Sequence, residues 1–344
     1  LSIDVNFSQW RLLGAEALVK GTYSVRGNEL VIEARLFDVN RGRLSSGRRY
    51  VGRIKDLRRI VHAFADQVLK ALTGFEGPFN SRIAYVSDRT GNKEIYIMDS
   101  DGYNDARITD HQSIALNPDF SSNGQEVIFT SYKRGNPDLF RKELASGKEE
   151  LISSRKGLNV TGRFRPGGRE TALTLSRDGN TEIYLLGPDG KIEDRLTRSW
   201  GIYINPSFSP DGDQFTFMSD RQGNPHIFVA DVGDESARRL TRAGKYNATP
   251  AWNPRNDRIA FSRLRGGVFD IYTIKADGSD ERRLTFGRGN KEHPRWSPDG
   301  RFIVYSFEQN GRKAIYMMRD DGTGSRKVSP AGVAAQHPAW SPRR

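Results

Sequence analysis

The sequence predicts an all-β fold: a six-bladed β-propeller with four antiparallel strands per blade, preceded by a small α+β domain. Three observations carry that expectation. Aromatic residues recur in steps of 44 at Phe120, Phe164, Phe208, Trp252, Trp296 and Trp340. The same step joins Tyr96, Phe140, Tyr184, Phe228, Tyr272 and Tyr316, and a hydroxyl register joins Thr109, Ser153, Thr197, Thr241, Thr285 and Ser329. One aromatic register of six has a chance of roughly one in a million per phase when aromatics are about a tenth of residues. Finally, within one period (residues 205–241), four short apolar runs alternate with turn residues, the pattern of four antiparallel strands.

The same count predicts how the ring closes. The inner-strand motif Pro-x-aromatic-Ser-Pro appears last at Pro338-Ala-Trp-Ser-Pro342, two residues from the end of the sequence. The first blade opens at its second strand, Ser81-Arg-Ile-Ala-Tyr-Val86, with no inner strand before it. The C-terminal strand is therefore expected to pair into the first blade, closing six blades and covering sheet edges that would otherwise template aggregation.

Residues 1–74 read as a partial α+β domain, 75–80 as a linker containing Gly77-Pro78, and 81–344 as the propeller. A short helix is expected over Ser8–Leu13. A β-hairpin is expected over Ala17–Val25 and Glu29–Val39 around Gly27-Asn28, with a third strand near Arg48–Val51. Residues 55–72 place Ile60, Val61, Phe64, Val68 and Leu72 at helical spacing, and Gly74 follows as a stop. The chain begins with Leu, so a fragment or processed product is expected.

In each blade the inner strand starts after a Pro (Pro118, Pro206, Pro250, Pro294, Pro338), except that Gly162 takes this place in the third repeat. Pro suits a first strand position because it cannot donate to the ladder. Strand order puts the Ser-Pro-Asp-Gly and Asp-Gly turns on one face, called the bottom. The loops leading into each inner strand lie on the other face, the top. Because inner strands line the axis, residues just before these prolines should rim the central funnel. They are Asn117, Asn159, Thr161, Tyr203, Ile204, Asn205, Tyr246, Asn247, Thr249, Glu292, His293, Gln336 and His337.

Composition narrows the function. There is no cysteine, which removes disulfides, thiolate zinc sites and cysteine catalysis. No apolar run is long enough to span a membrane, so no membrane insertion is expected. Net charge is +12 and pI about 9.8. Lys and Arg are interspersed with Asp and Glu in every blade, so nucleic acid is not expected as a partner, because phosphate binding gathers charge on one face. Mean hydropathy is −0.66, as half-buried strands allow. No Gly-x-Ser-x-Gly elbow, His-Glu-x-x-His, P-loop or dinucleotide fingerprint occurs. His293 and His337 share one blade position and are open as a metal or acid–base pair or as a polar rim. Acidic turns such as 99–105 lack the spacing of a calcium loop and read as tight turns.

The chain resembles the TolB family, periplasmic propellers of the bacterial Tol–Pal system. The resemblance lies in the junction Lys70-Ala-Leu-Thr-Gly-Phe-Glu-Gly-Pro-Phe-Asn-Ser-Arg-Ile-Ala-Tyr-Val86, in Asp101-Gly-Tyr-Asn104, in the Pro-x-Phe/Trp-Ser-Pro-Asp-Gly repeats and in the terminal Pro-Ala-Trp-Ser-Pro342. It covers essentially the whole chain. It implies a non-enzymatic, monomeric periplasmic scaffold that binds the peptidoglycan-associated lipoprotein Pal at the funnel mouth. It also implies contact with TolA and the inner-membrane Tol complex through an N-terminal segment absent here, in support of outer-membrane integrity and division. Carried over by position, the Pal contact falls on Asn159, Thr161, Ile204, Asn205 and their neighbours around the ring. No cofactor is expected, although calcium in the axial channel occurs in some family propellers. Rival classes are a lyase acting on acidic polysaccharides, a carbohydrate-binding propeller and the regulatory propeller of a serine peptidase.

Overall fold

Gly27 has φ 58°, and with Asn28 it turns the chain between two strands, β1 (Ala17–Arg26) and β2 (Glu29–Asp38), paired from Ala17↔Asp38 to Arg26↔Glu29. The computed structural model describes residues 5–234 and 236–343. It divides into two compact units, Leu1–Asn80 and Ser81–Arg344.

In the first unit, β2 is central, flanked by β1 and by β3 (Arg43–Arg53). β3 is longer than the sequence predicts because its Arg- and Ser-rich start hides the alternation that marks a strand. The short helix α1 spans Phe7–Leu12. The long helix α2 (Leu57–Thr73) follows a 3-10 turn at Ile54–Asp56 and ends at Gly74, whose φ of 81° favours glycine. Its apolar stripe is narrower than expected. Ile60 is buried, but Val61 and Leu72 are 50% and 55% exposed. Asp66, buried in the helix, accepts the N–H groups of Phe79 (2.9 Å) and Asn80 (3.2 Å), which ties residues 75–80 onto α2.

The described residues of the second unit form six four-stranded antiparallel sheets. Their inner strands are Gln336–Trp340, Ala115–Phe120, Asn159–Phe164, Tyr203–Phe208, Asn247–Trp252 and Asn290–Trp296. Each inner strand touches the inner strands of the two neighbouring sheets, and the cycle closes from the last strand back to the first. The C-terminal strand joins the sheet that opens at Arg82–Ser87, with Ala339 opposite Ala84 and Trp340 opposite Ile83. Trp340 Nε1 donates to Ser81 Oγ at 2.7 Å and Ser341 N to the Arg82 carbonyl at 2.8 Å, so one side-chain and one backbone bond reinforce the seam.

The apolar cores lie between sheets. One joins Ala172, Ile183 and Leu185 of the third sheet to Phe208, Phe215, Phe217 and Phe228 of the fourth. Second and third strands are buried on both faces, which explains their continuous apolar runs. Within a sheet the aromatic register at Phe228 stacks on a cross-strand ring, as in Phe217–Phe228 and Phe261–Tyr272, each pair 5.8 Å apart. The turns between third and fourth strands also meet their neighbours. A Cβ on Gly190 would lie 2.1 Å from the Ile152 carbonyl oxygen, and one on Gly102 at 2.1 Å from that of Val328, so only glycine allows this approach.

The hydroxyl register forms a clamp. Thr109, Thr197 and Thr285 donate to buried carboxylates near the start of the third strand of the same sheet, Glu94, Glu182 and Asp270. Their Oγ1 atoms also accept the N–H of Ile95, Ile183 and Ile271 at 2.8–2.9 Å. The same carboxylates hold the loop that climbs toward the next inner strand. Glu94 accepts from His111 N (2.7 Å) and Gln112 N (3.0 Å), and Glu182 from Ser199 N (3.2 Å). Replacing Thr197 with Val keeps the shape and orphans the Ile183 N–H and one Glu182 oxygen, at a cost of about 1–3 kcal/mol. Urea unfolding of Thr197→Val should show a lower midpoint at unchanged slope.

Candidate functional site

The funnel rim is built from one repeated backbone device. In every inner strand the ladder slips just before the Pro position, as between Leu116 and Asp119 or between Ile204 and Ser207. At that slip stands a non-glycine residue with positive φ: Asn117 (54°), Thr161 (55°), Asn205 (58°), Thr249 (50°), His293 (56°) and His337 (51°). The left-handed region is costly for a β-branched residue such as Thr161 or Thr249, about 1–3 kcal/mol each. Strain repeated around the ring marks a bulge the fold imposes on every inner strand. Gly162 replaces Pro in the third sheet because the space a Cβ would take is filled; Leu139 Cδ1 would lie 2.9 Å away.

Strand alternation then sorts the rim residues of the sequence analysis. Two positions before each left-handed residue, side chains turn into the sheet. Asn159, Tyr203 and Asn247 are there, at most 1% exposed, so they are corrected from rim surface to interior. Asn159 Oδ1 accepts from Arg155 N (3.0 Å) while Nδ2 donates to the Arg155 carbonyl (2.7 Å). Asn247 Oδ1 accepts from Arg263 Nε (2.6 Å). Tyr203 packs in the core between the third and fourth sheets. Thr161 and Thr249 are 8% exposed, each paired at 2.8 Å with a hydroxyl of the second strand, Thr174 or Ser262. Asn117, Ile204, Asn205, Glu292, His293, Gln336 and His337 are half-buried, and Ile204 packs against the core between the fourth and fifth sheets. Burial raises the Glu292 carboxyl, helped by the Glu308 charge. Gln336 Oε1 accepts from Lys313 Nζ at 3.1 Å.

A collar that the sequence reading missed surrounds this mouth. Ile114, Leu158, Ile202 and Tyr246 occupy one register in four successive sheets, and all are 37–46% exposed. Trp200 (91%) and Phe286 (67%) stand in loops of the same face. The signal was present as the step of 44 from Ile114 to Tyr246, but this register is aliphatic as well as aromatic and does not stand out by residue type.

At the axis, the His293 and His337 rings lie 4.2 Å apart, centre to centre. Protein atoms crowd both, although each keeps a little contact with the channel. Burial lowers His293 to about 4, and burial with the neighbouring imidazole lowers His337 well below its ordinary value. One step down each inner strand the axial register reads Asp119, Arg163, Ser207, Ala251, Arg295, Ala339. Burial pushes the Asp119 carboxyl up to about 6, against the pull of the Arg163 charge and the Phe164 N–H. Calcium takes six to eight oxygen ligands. This channel offers one carboxylate and two guanidinium groups, and no group of three metal-ligating residues occurs among the described residues. The channel does not fit the cation.

The remaining histidines are structural. His111 bonds Ser131 Oγ (2.7 Å) and Glu149 (3.1 Å). His226 takes the clamp position that Glu94 holds in the first sheet, and its Nε2 accepts from Arg239 Nη2 at 2.6 Å. Burial, then the Arg239 and Arg263 charges, lower it to about 4. His62 packs its ring near Phe79. Arg89 pairs with Asp105 and lies over the Tyr96 ring at 3.8 Å, so it orders its loop through a partner other than the adjacent Asp88.

Six four-stranded antiparallel sheets whose inner strands touch in a closed cycle define the class of β-propellers. The family follows from comparison. A model of the TolB beta propeller domain matches residues 69–344 and one of the TolB amino-terminal domain matches residues 2–45, and the chain belongs to the TolB family. It is 62% identical over 127 residues to the Tol-Pal system protein TolB of Syntrophotalea carbinolica, covering 37% of this chain and 30% of that protein. The TolB of Geobacter sulfurreducens is 48% identical over 124 residues, 36% of this chain and 29% of that protein. The chain thus spans under a third of the length of these curated relatives. The crystal structure of TolB from Acinetobacter baumannii superposes with a TM-score of 0.88 at 27% identity, covering 98% of this chain and 86% of that one.

The depressed histidines give the fold a pH dependence of defined sign. Folding disfavours their protonated form, so the unfolded chain binds more protons between pH about 6.5 and about 4, and stability falls as pH falls through that window. The slope reaches at most about 1.4 kcal/mol per pH unit per histidine. Urea midpoints measured at pH 7 and pH 5 should drop for the wild type and drop less for His226→Gln.

Proposed function

We propose that this chain is a non-enzymatic periplasmic scaffold of the Tol–Pal system, a single rigid ring of six blades that binds Pal at the top mouth of its axis. The observation that carries the reading is the collar. Ile114, Leu158, Ile202, Tyr246, Trp200 and Phe286 give one face an apolar ring around half-buried polar groups. Protein interfaces have this composition, an aromatic and aliphatic centre with polar groups that fix orientation, and Trp and Tyr are common hot spots. The top loops are clamped before any partner arrives, which reduces the ordering cost of association. Membership of the TolB family and the printed names of the relatives, Tol-Pal system protein TolB, supply the identity of the system. Engagement of TolA and the inner-membrane complex is not assigned to these residues. The imidazole pair contributes polarity at the mouth, and burial disfavours the charged form of both rings.

Calorimetric titration with the soluble domain of Pal tests this. One-to-one saturable binding is expected, with Trp200→Ala and Tyr246→Ala together weakening it by at least ~2 kcal/mol, about thirtyfold, without loss of the fold. Absence of binding by the folded wild type, or an affinity indifferent to the collar, would reject the site. Turnover of an acidic polysaccharide that disappears in His293→Ala would favour the lyase class.

A further inference from the structure

The bottom mouth of the axis is a cavity of about 430 Å³ lined by all six inner strands and the turns after them. Arg163 and Arg295 line its wall from the third and sixth sheets of the cycle. Being three sheets apart in a ring of six, they face each other across the axis. Ser207 and Ala251 line the wall of the cavity, and Ala339 completes the register, so small side chains leave the space between the arginines open.

Both guanidinium groups are oriented but incompletely used. Arg163 Nη1 donates to the Gly162 carbonyl at 2.7 Å and Arg295 Nη1 to the Pro294 carbonyl at 3.1 Å. In each, the buried Nε has no hydrogen-bond partner among the described residues. Arg163 is only 7% exposed. Asp119 is the one carboxylate in the register; its Oδ2 accepts from Phe164 N at 3.0 Å, and it forms no ion pair with either arginine among the described residues. Asp119 places one opposite charge near Arg163, but two guanidinium groups share that single carboxylate of the register, and a planar fork of N–H donors matches a carboxylate or phosphate.

We infer that this cavity is a binding site for a small oxyanion, a phosphate or a carboxylate held between Arg163 and Arg295. It lies at the mouth opposite the collar and is independent of the reading of the collar as a protein-binding face. Its chemistry is the reverse of a calcium site: donors converge where a cation would need oxygens. Free phosphate and the carboxylate of an acidic residue in a peptide share the recognised group.

The test is calorimetric titration of the full chain at pH 7.5 in Tris chloride at fixed ionic strength. Sodium phosphate and N-acetylglutamate are the probes in separate arms, with thermal melting alongside. Saturable one-site binding of either probe is expected, weakened at least tenfold by Arg295→Gln, whose side chain is only half-buried and whose loss the fold should tolerate. Arg163→Lys, which keeps the charge and loses the fork, should weaken it as well. Binding of phosphate alone identifies a free inorganic anion; binding of N-acetylglutamate as well identifies a peptide carboxylate as a competent ligand. Failure of both probes to saturate, binding unchanged in folded Arg295→Gln, or a melting temperature raised by calcium chloride and not by phosphate would overturn the inference. Pal binding by Arg295→Gln should remain at the wild-type level, so failure here leaves the collar reading intact.

Discussion

A buried carboxylate gripping a threonine holds this propeller to its shape. In the first, third and fifth sheets an acid near the start of the third strand binds the hydroxyl that follows the fourth, and that hydroxyl accepts the next backbone N–H. In the first and third, the same carboxylate also reaches the loop that climbs to the next inner strand. One side chain thereby satisfies the weakest edge of a sheet and positions the top face. Outer strands here are short, two to five residues in the propeller unit. Backbone pairing alone would hold them poorly, so the clamp supplies what the ladder lacks.

The inner strands carry a second constraint. Six left-handed residues at one register bend each strand where it meets the top face. The bend sends alternate side chains into the sheet and toward the axis, and so decides which rim residue a partner can meet. Asn247 and Thr249 are two residues apart and differ in role for this reason: one is locked to Arg263, the other caps the wall of the channel. The strain is borne because closed packing between sheets over-determines the backbone.

The repeat is broken at the axis. Most registers hold one residue type because every sheet meets the same neighbour. The axial register instead reads Asp, Arg, Ser, Ala, Arg, Ala, and the left-handed register ends in two histidines. Burial of Arg163 and the crowding of His293 against His337 both cost free energy that the packing between sheets must offset. Such departures are expected at binding sites, where polar groups are retained for what they recognise.

Much of this architecture was legible in one dimension. A step of 44 residues fixes which side chains are equivalent, and the missing first inner strand matched by the surplus last one foretells the pairing of Trp340 opposite Ile83. Local chemistry was legible too, from Gly27-Asn28 in the hairpin to Gly74 after the helix. The repeat also fixed which strand ends carry the residues ahead of each inner-strand Pro. It could not separate Asn159 and Asn247, which face inward, from Asn117 and Asn205, which border the channel, because a bulge resets the alternation and leaves no compositional mark. It could not bring Arg163 and Arg295, 132 positions apart in the chain (295 − 163), across one axis. Periodicity reports that positions are alike. Only closure of the ring decides which of them meet, because closure converts equal spacing along the chain into opposition in space.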